Sequence, residues 1–269
     1  MLSMTTDYMA DTGCPGPYLR RIAEAGFTHV HWCHQWNTDF LYDDCEIDEI
    51  ARWLRECGLA VTDLHGSAGK EKAWGSLREY ERLAGVELVA NRISMAERLG
   101  TDVVIIHLPD LKDPATRDGT WDQLRRSLDA LQPKARQRGV RIAIENGPFV
   151  EIERALSLYS PDYVGLCYDC GHGNLIADGL DWLERLKSRL ISVHLHDNDG
   201  TADQHNLPFW PGGTVNWDRL ARILAASAYS KWVSMESTMK RSGMTDEAAW
   251  LAQGFEAGTR VAEMIERNR

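Results

Sequence analysis

The feature that most constrains this chain is an alternation of short β-branched or apolar segments with longer stretches of helical spacing. Eight strands are expected: 2–6, 28–33, 60–65, 102–107, 141–145, 163–169, 191–196 and 232–236. Between them fall amphipathic stretches. Residues 18–25 follow Pro17, which suits the first turn of a helix. Asp48, Ile50, Ala51, Leu54 and Cys57 share one face, and Gly58 ends that stretch as a C-terminal glycine should. Residues 83–99 close on Gly100 in the same way, and 121–138 close on Gly139. Residues 182–186, 217–226 and 246–266 complete the helical set.

Strands joined by helix-length connections pair in parallel through right-handed crossovers. Eight such units favour a closed (β/α)8 TIM barrel over an open sheet, and 269 residues suit one such domain spanning 1–269. The rival, a doubly wound dinucleotide-binding sheet, would carry a G-x-G-x-x-G turn after an early strand; the chain has none.

In a parallel barrel the carboxyl ends of the strands share one face, where active sites are built. The expected ends here are His65, His107, Glu145, Asp169, His196 and Glu236. Any one of them has a plain explanation as a hydrogen-bonded histidine or a helix cap. Six imidazoles and carboxylates on one mouth are different, because their repulsion and desolvation require a compensating cation. Such ligands suit a divalent ion such as Mn2+, Co2+ or Zn2+. His172, in Asp169-Cys-Gly-His172, and the loop pair Asp203 and His205 extend the set. Trp36, just past the second strand, is a candidate to offer a stacking face at the mouth, with His34 and His31 within reach of the same region. His194 shares a face with His196 but lies one layer deeper.

The net charge of −10 argues against broad attraction to nucleic acid or anionic lipid. No apolar run approaches the roughly 18 residues of a membrane span, and the amino terminus lacks a signal-like pattern. The six cysteines form no disulfide framework, so a reducing cytoplasm is the expected compartment. Cys167 and Cys170 make a C-x-x-C in a stretch that reads as strand, hence as barrel wall rather than a redox motif. Trp74 and Trp210 read as exposed aromatics that leave room for a homodimer, and Lys70, Lys72 and Lys112 as mouth-side candidates for a phosphate.

Glu145 in Ile-Glu-Asn, Asp169-Cys-Gly-His172, the run from His194 to Asp199, Pro211 to Trp217 and Glu236 together resemble the xylose isomerase-like barrel superfamily. That resemblance spans most of the chain. It implies a carbohydrate substrate and a divalent metal. In the ketose 3-epimerase branch one metal is held by the matches of Glu145, Asp169, His196 and Glu236, with the two glutamates as acid and base. In the three-zinc abasic-site endonuclease branch the ligands extend to the matches of His65, His107, His172, Asp203 and His205. All nine positions carry that branch's residue types here. Ala202 stands where the epimerases carry an arginine, and no arginine-rich DNA-penetrating loop follows the early strands.

Three readings follow. The first is an isomerase or epimerase of a sugar, sugar phosphate or inosose, working through an enediolate, with His172, Trp36 and His34 as substrate contacts; a dehydratase is its close variant. The second is a multi-zinc phosphodiesterase, in which Glu145 bridges ions and is not free to act as base. The third is a barrel that keeps a metal for structure or sensing alone, which so many aligned acid–base groups make the weakest.

Overall fold

The computed structural model describes residues 1–269. Eight parallel strands form the sheet: β1 (Leu2–Thr5), β2 (His29–Trp32), β3 (Ala60–His65), β4 (Val103–His107), β5 (Arg141–Glu145), β6 (Val164–Asp169), β7 (Leu190–His194) and β8 (Val233–Met235). Their order is β7-β6-β5-β4-β3-β2-β1-β8. The remaining seam closes just past the ends of β7 and β8: Leu195 pairs with Met235, and Glu236 donates its N–H to the Leu195 carbonyl at 3.1 Å. The result is the (β/α)8 barrel.

The helices are α1 (Gly16–Glu24), α2 (Asp44–Cys57), α3 (Glu79–Leu99), α4 (Arg117–Gln137), α5 (Phe149–Leu158), α6 (Cys170–Asn174), α7 (Gly179–Leu186), α8 (Trp217–Ala225) and α9 (Glu247–Glu266). Helix α2 starts earlier than its apolar stripe because Asp43 and Glu46 form a reciprocal capping box. Gly58 and Gly100 end α2 and α3 in the left-handed conformation that glycine adopts without a Cβ penalty. No helix is long and apolar enough to cross a membrane.

Strand alternation sends one set of side chains out under the helices and the other into the barrel. The outer set joins a hydrophobic cluster of 60 buried residues, while the inner apolar set is only Val103, Ile105, Ala143, Cys167 and Ile191. The rest of the interior is polar. Ser3, Thr5, His31, Asp63, Ser192, His194 and Ser234 are all fully buried there. Barrel interiors are usually filled by branched apolar residues, so the β7–β8–β1–β2–β3 side of this one departs from the norm.

The structure corrects several expectations. Helix α5 is absent from the sequence reading. It is short, follows Pro148 directly and ends on extended Tyr159 with no glycine stop. Cys170 is not in a strand: β6 ends at Asp169, and Cys170 opens α6. Its thiol donates to the His196 carbonyl at 3.0 Å, and burial pushes its pKa well up, which leaves no reactive thiolate. Trp74 is buried rather than exposed, its carbonyl accepting from Ser127 Oγ at 2.6 Å; Trp210 is 37% exposed.

Candidate metal centre

The strands place the expected residues as the alternation requires. His65, His107, Glu145 and Asp169 are the last residues of β3 to β6, while His196 and Glu236 lie just beyond β7 and β8. Seven of the nine histidines, namely 31, 65, 107, 172, 194, 196 and 205, meet there.

Glu145 is the hub. Its Oε2 lies 3.3 Å from His107 Nε2 and 3.5 Å from His65 Nε2. Its Oε1 lies 3.2 Å from both His172 Nδ1 and His194 Nδ1. His194 Nδ1 also reaches Glu236 Oε2 at 3.1 Å, so one ring nitrogen touches both glutamates. Beside them His196 Nε2 lies 3.0 Å from Asp169 Oδ1 and 3.8 Å from Asp203 Oδ1. In the loop after β7, Asp203 Oδ2 lies 3.2 Å from His172 Nε2 and 3.1 Å from His205 Nε2. His205 adopts φ of 51°, a strained value for a non-glycine residue of the kind that clusters at functional sites.

Among the groups whose ligand atoms lie within 4.8 Å of one another are His65, His107 and Glu145, and His172, His196, Asp203 and His205. Hydrogen bonding shows that they fit cations. His65 Nδ1 donates to the Gly66 carbonyl at 2.8 Å, and His205 Nδ1 to the Glu236 carbonyl at 2.7 Å. A carbonyl only accepts, so each Nδ1 carries a proton and the Nε2 edge of each ring is turned toward a carboxylate. Glu145 Oε2, His172 Nδ1, His196 Nδ1 and Asp203 Oδ1 are buried without hydrogen-bond partners. Imidazole nitrogens and carboxylate oxygens that face one another in a buried site fit a divalent ion or, in its place, protons. The backbone is shaped for this too: a Cβ on Gly171 would fall on the His196 ring, 2.5 Å from Nε2.

Protons stand in where no ion is bound. Burial lowers the imidazole pKa of His172, but Asp169, Asp203 and Glu145 outweigh it and raise it to about 12. Burial likewise opposes protonation of His205, yet Asp203 and Glu236 raise it to about 10. Burial favours neutral carboxyls at Glu145 and Glu236, but the surrounding histidines hold both well below the usual range. His107 goes the other way, lowered by burial first and by its histidine neighbours.

Deeper in the barrel His31 Nδ1 lies 2.7 Å from Asp63 Oδ1 and its Nε2 3.5 Å from Glu236 Oε1. Burial and His194 lower the His31 pKa, but Asp63 and Glu236 carry it up to about 9. Sequence reading left His31 undecided. The signal that could have found it is interior parity, since His31 on β2 alternates with outward Trp32.

Trp36 stands at the mouth, its ring centroid 4.7 Å from that of His65 and 6.0 Å from that of His107. Trp32 packs outward, its Nε1 donating to Tyr42 Oη at 3.3 Å. His34 does not join Trp36. Its Nε2 bonds the Gly13 carbonyl at 2.8 Å, and it lines a cavity of about 480 Å3 with Cys14, Phe40, Tyr42 and Trp53. Gln35, with φ of 61°, reverses the chain between the two. Lys112 lines a different cavity, of about 760 Å3, with Phe149 and Trp182, and Lys70 is exposed.

Comparison with known proteins agrees with this architecture. The chain is 33% identical to the uncharacterized protein y4fM of Sinorhizobium fredii, over 92% of this chain and 88% of that one. It is 28% identical to an inosose dehydratase of Bacillus cereus, over 57% of this chain and 56% of that one. In structure it resembles a D-psicose 3-epimerase, with a TM-score of 0.80, 18% identity, and coverage of 98% of this chain and 99% of the other; at that identity the likeness is one of fold. Residues 19–256 match the family described as xylose isomerase-like TIM barrel, and the chain belongs to that family.

Proposed function

We propose that this protein is a metal-dependent enzyme that moves protons next to the carbonyl of a polyhydroxy compound, as a sugar isomerase or epimerase or as the closely related inosose-type dehydratase. The observation that carries this reading is the pair Glu145 and Glu236, both within 3.2 Å of the single nitrogen His194 Nδ1, with Asp169 and His196 beside them. The similarity to an inosose dehydratase supports the same substrate class.

Glu145, Asp169, His196 and Glu236 would hold the ion. When bound, a divalent ion stabilises the oxyanion that develops as a proton leaves the carbon beside a carbonyl. Glu145 Oε2, free of hydrogen bonds, takes or returns a proton on one side of the substrate. Glu236 acts on the other. His194 keeps the two carboxylates at fixed separation, Trp36 offers its face to the apolar side of the sugar, and His172 is a polar contact at the rim. His34, turned into its own cavity, is not part of this arrangement.

A second reading, a multi-zinc phosphodiesterase, is favoured by one specific observation. Glu145 Oε2 faces His65 and His107, and the histidines around Glu145 depress its pKa, which suits a bridging ligand better than a base. The two readings compete for the same oxygen. Elemental analysis of gently purified protein separates them: one manganese- or cobalt-like ion per chain supports proton transfer, and two or three zinc ions support the hydrolase.

A further inference from the structure

Beneath the mouth lies a polar chain that ends on Glu236 and whose other members, Ser192, Asp63 and His31, neither reading uses. Ser192 Oγ donates to Asp63 Oδ2, Asp63 Oδ1 pairs with His31 Nδ1 at 2.7 Å, and His31 Nε2 lies 3.5 Å from Glu236 Oε1. The side chains of His31 and Asp63 are fully buried, and the four residues come from β7, β3, β2 and the end of β8. Burying a carboxylate and an imidazole in a barrel core is costly unless each is paired. Here the pairing is directional. An ionised Asp63 only accepts, so Nδ1 of His31 donates to it, and the opposite edge of the ring is turned toward Glu236. The His194 ring, centroid 4.4 Å from that of His31, closes the other side and contacts Glu236 Oε2.

We infer that His31, oriented by Asp63 and Ser192, is a positioning residue that fixes the Glu236 carboxylate from below, so that its geometry suits a bound ion and a proton transfer. This rests on the metal-dependent reading above. Ordinary packing does not account for it, because the same interior positions on β4 and β5 are apolar. Outer partners of metal ligands of this kind are worth 10- to 100-fold in metal affinity.

The test is titration of the metal-free full-length protein with Co2+, read by visible absorption, and it needs no substrate. Asp63→Asn and His31→Ala are each expected to weaken cobalt binding at least about tenfold and to alter the absorption band. His31→Gln, which keeps an amide N–H, restores part of the affinity. In a Glu236→Gln background, His31→Ala has no further effect. Ser3→Ala, elsewhere in the interior, leaves binding unchanged. If His31→Ala does not fold, the near-isosteric Asp63→Asn still decides. Wild-type affinity and spectrum in Asp63→Asn and His31→Gln would overturn the inference, as would an equal loss with or without Glu236. Failure of the wild-type protein to bind cobalt would instead overturn the metal-dependent reading and take the inference with it.

Discussion

Gly171 sits in α6 with its α-carbon against the His196 ring, and the substitution Gly171→Ala tests whether that ring must stay where it is. An added Cβ would fall inside the van der Waals radius of three ring atoms, of which Nε2, at 2.5 Å, is the most distant. Ordinary contact begins at 3.4 Å, so even that atom must retreat by about 0.9 Å (2.5 to 3.4 Å). The ring has little room to do so: His196 is fully buried, faces Asp169 on one side and stacks on His205 at 3.9 Å on the other. Functional constellations tolerate about 0.5 Å of displacement. The substitution is therefore expected to cost about 100-fold or more in metal affinity, about 2.8 kcal/mol at 1.4 kcal/mol per decade. Overpacking should also cost about 1–3 kcal/mol of fold stability. The control is Gly147→Ala, two residues past Glu145, where a Cβ meets nothing within 4 Å. The assay is cobalt titration of both variants with parallel thermal melts of the metal-free proteins. A Gly171→Ala protein that binds cobalt as tightly as Gly147→Ala would refute the placement of His196 as a ligand.

Three further outcomes are expected. With His172 and His205 raised to about 12 and about 10, both are protonated at pH 7 in the metal-free protein. Because their folded values lie above the unfolded one of about 6.5, their stabilisation is complete below pH ~6.5 and lost as pH rises through about 10 to 12. Any ion bound at these nitrogens must displace their protons, so its apparent affinity rises with pH, by up to about tenfold per unit per proton; calorimetry in buffers of different ionisation enthalpy counts them. Replacing Asp203 by Asn together with His205 by Ala should remove any ion held on the His172, Asp203 and His205 side of the mouth while sparing the one at Asp169 and Glu236, as read by metal content. Trp36→Ala should raise KM for a sugar substrate about tenfold, or about 1.4 kcal/mol, with a smaller effect on kcat; an unchanged KM would take Trp36 out of the substrate site.

Much of this site is legible in the linear order of residues, and the reason is the barrel itself. The inward-facing residue at a strand's carboxyl end points to the mouth, so His65, His107, Glu145 and Asp169 follow from period-two patterning once the eight strands are recognised. Glu236 and His196 are found by the same logic although they lie one and two residues past the ladder, because the Leu195–Met235 bridge prolongs the strand geometry. What the sequence hides depends on tertiary contacts. Gln35, at positive φ, separates His34 from Trp36, and nothing local to that polar residue announces the reversal. Trp74 is buried because α3 closes on its backbone where Gly85 leaves room, a contact between segments eleven residues apart. The pairing of His31 with Asp63 joins residues 32 apart and needs the β2–β3 register, where His31 stands beside Asp63.

The central claim is that Glu145 and Glu236 exchange protons with the carbon beside a substrate carbonyl. The direct measurement is proton NMR of the metal-loaded protein in D2O with a panel of ketoses and inososes, following deuterium uptake at that carbon. Uptake that needs the metal and is lost in both Glu145→Gln and Glu236→Gln is the predicted result. No uptake from any member of the panel, together with hydrolysis of abasic DNA or a simple phosphodiester by the same preparation, would contradict it.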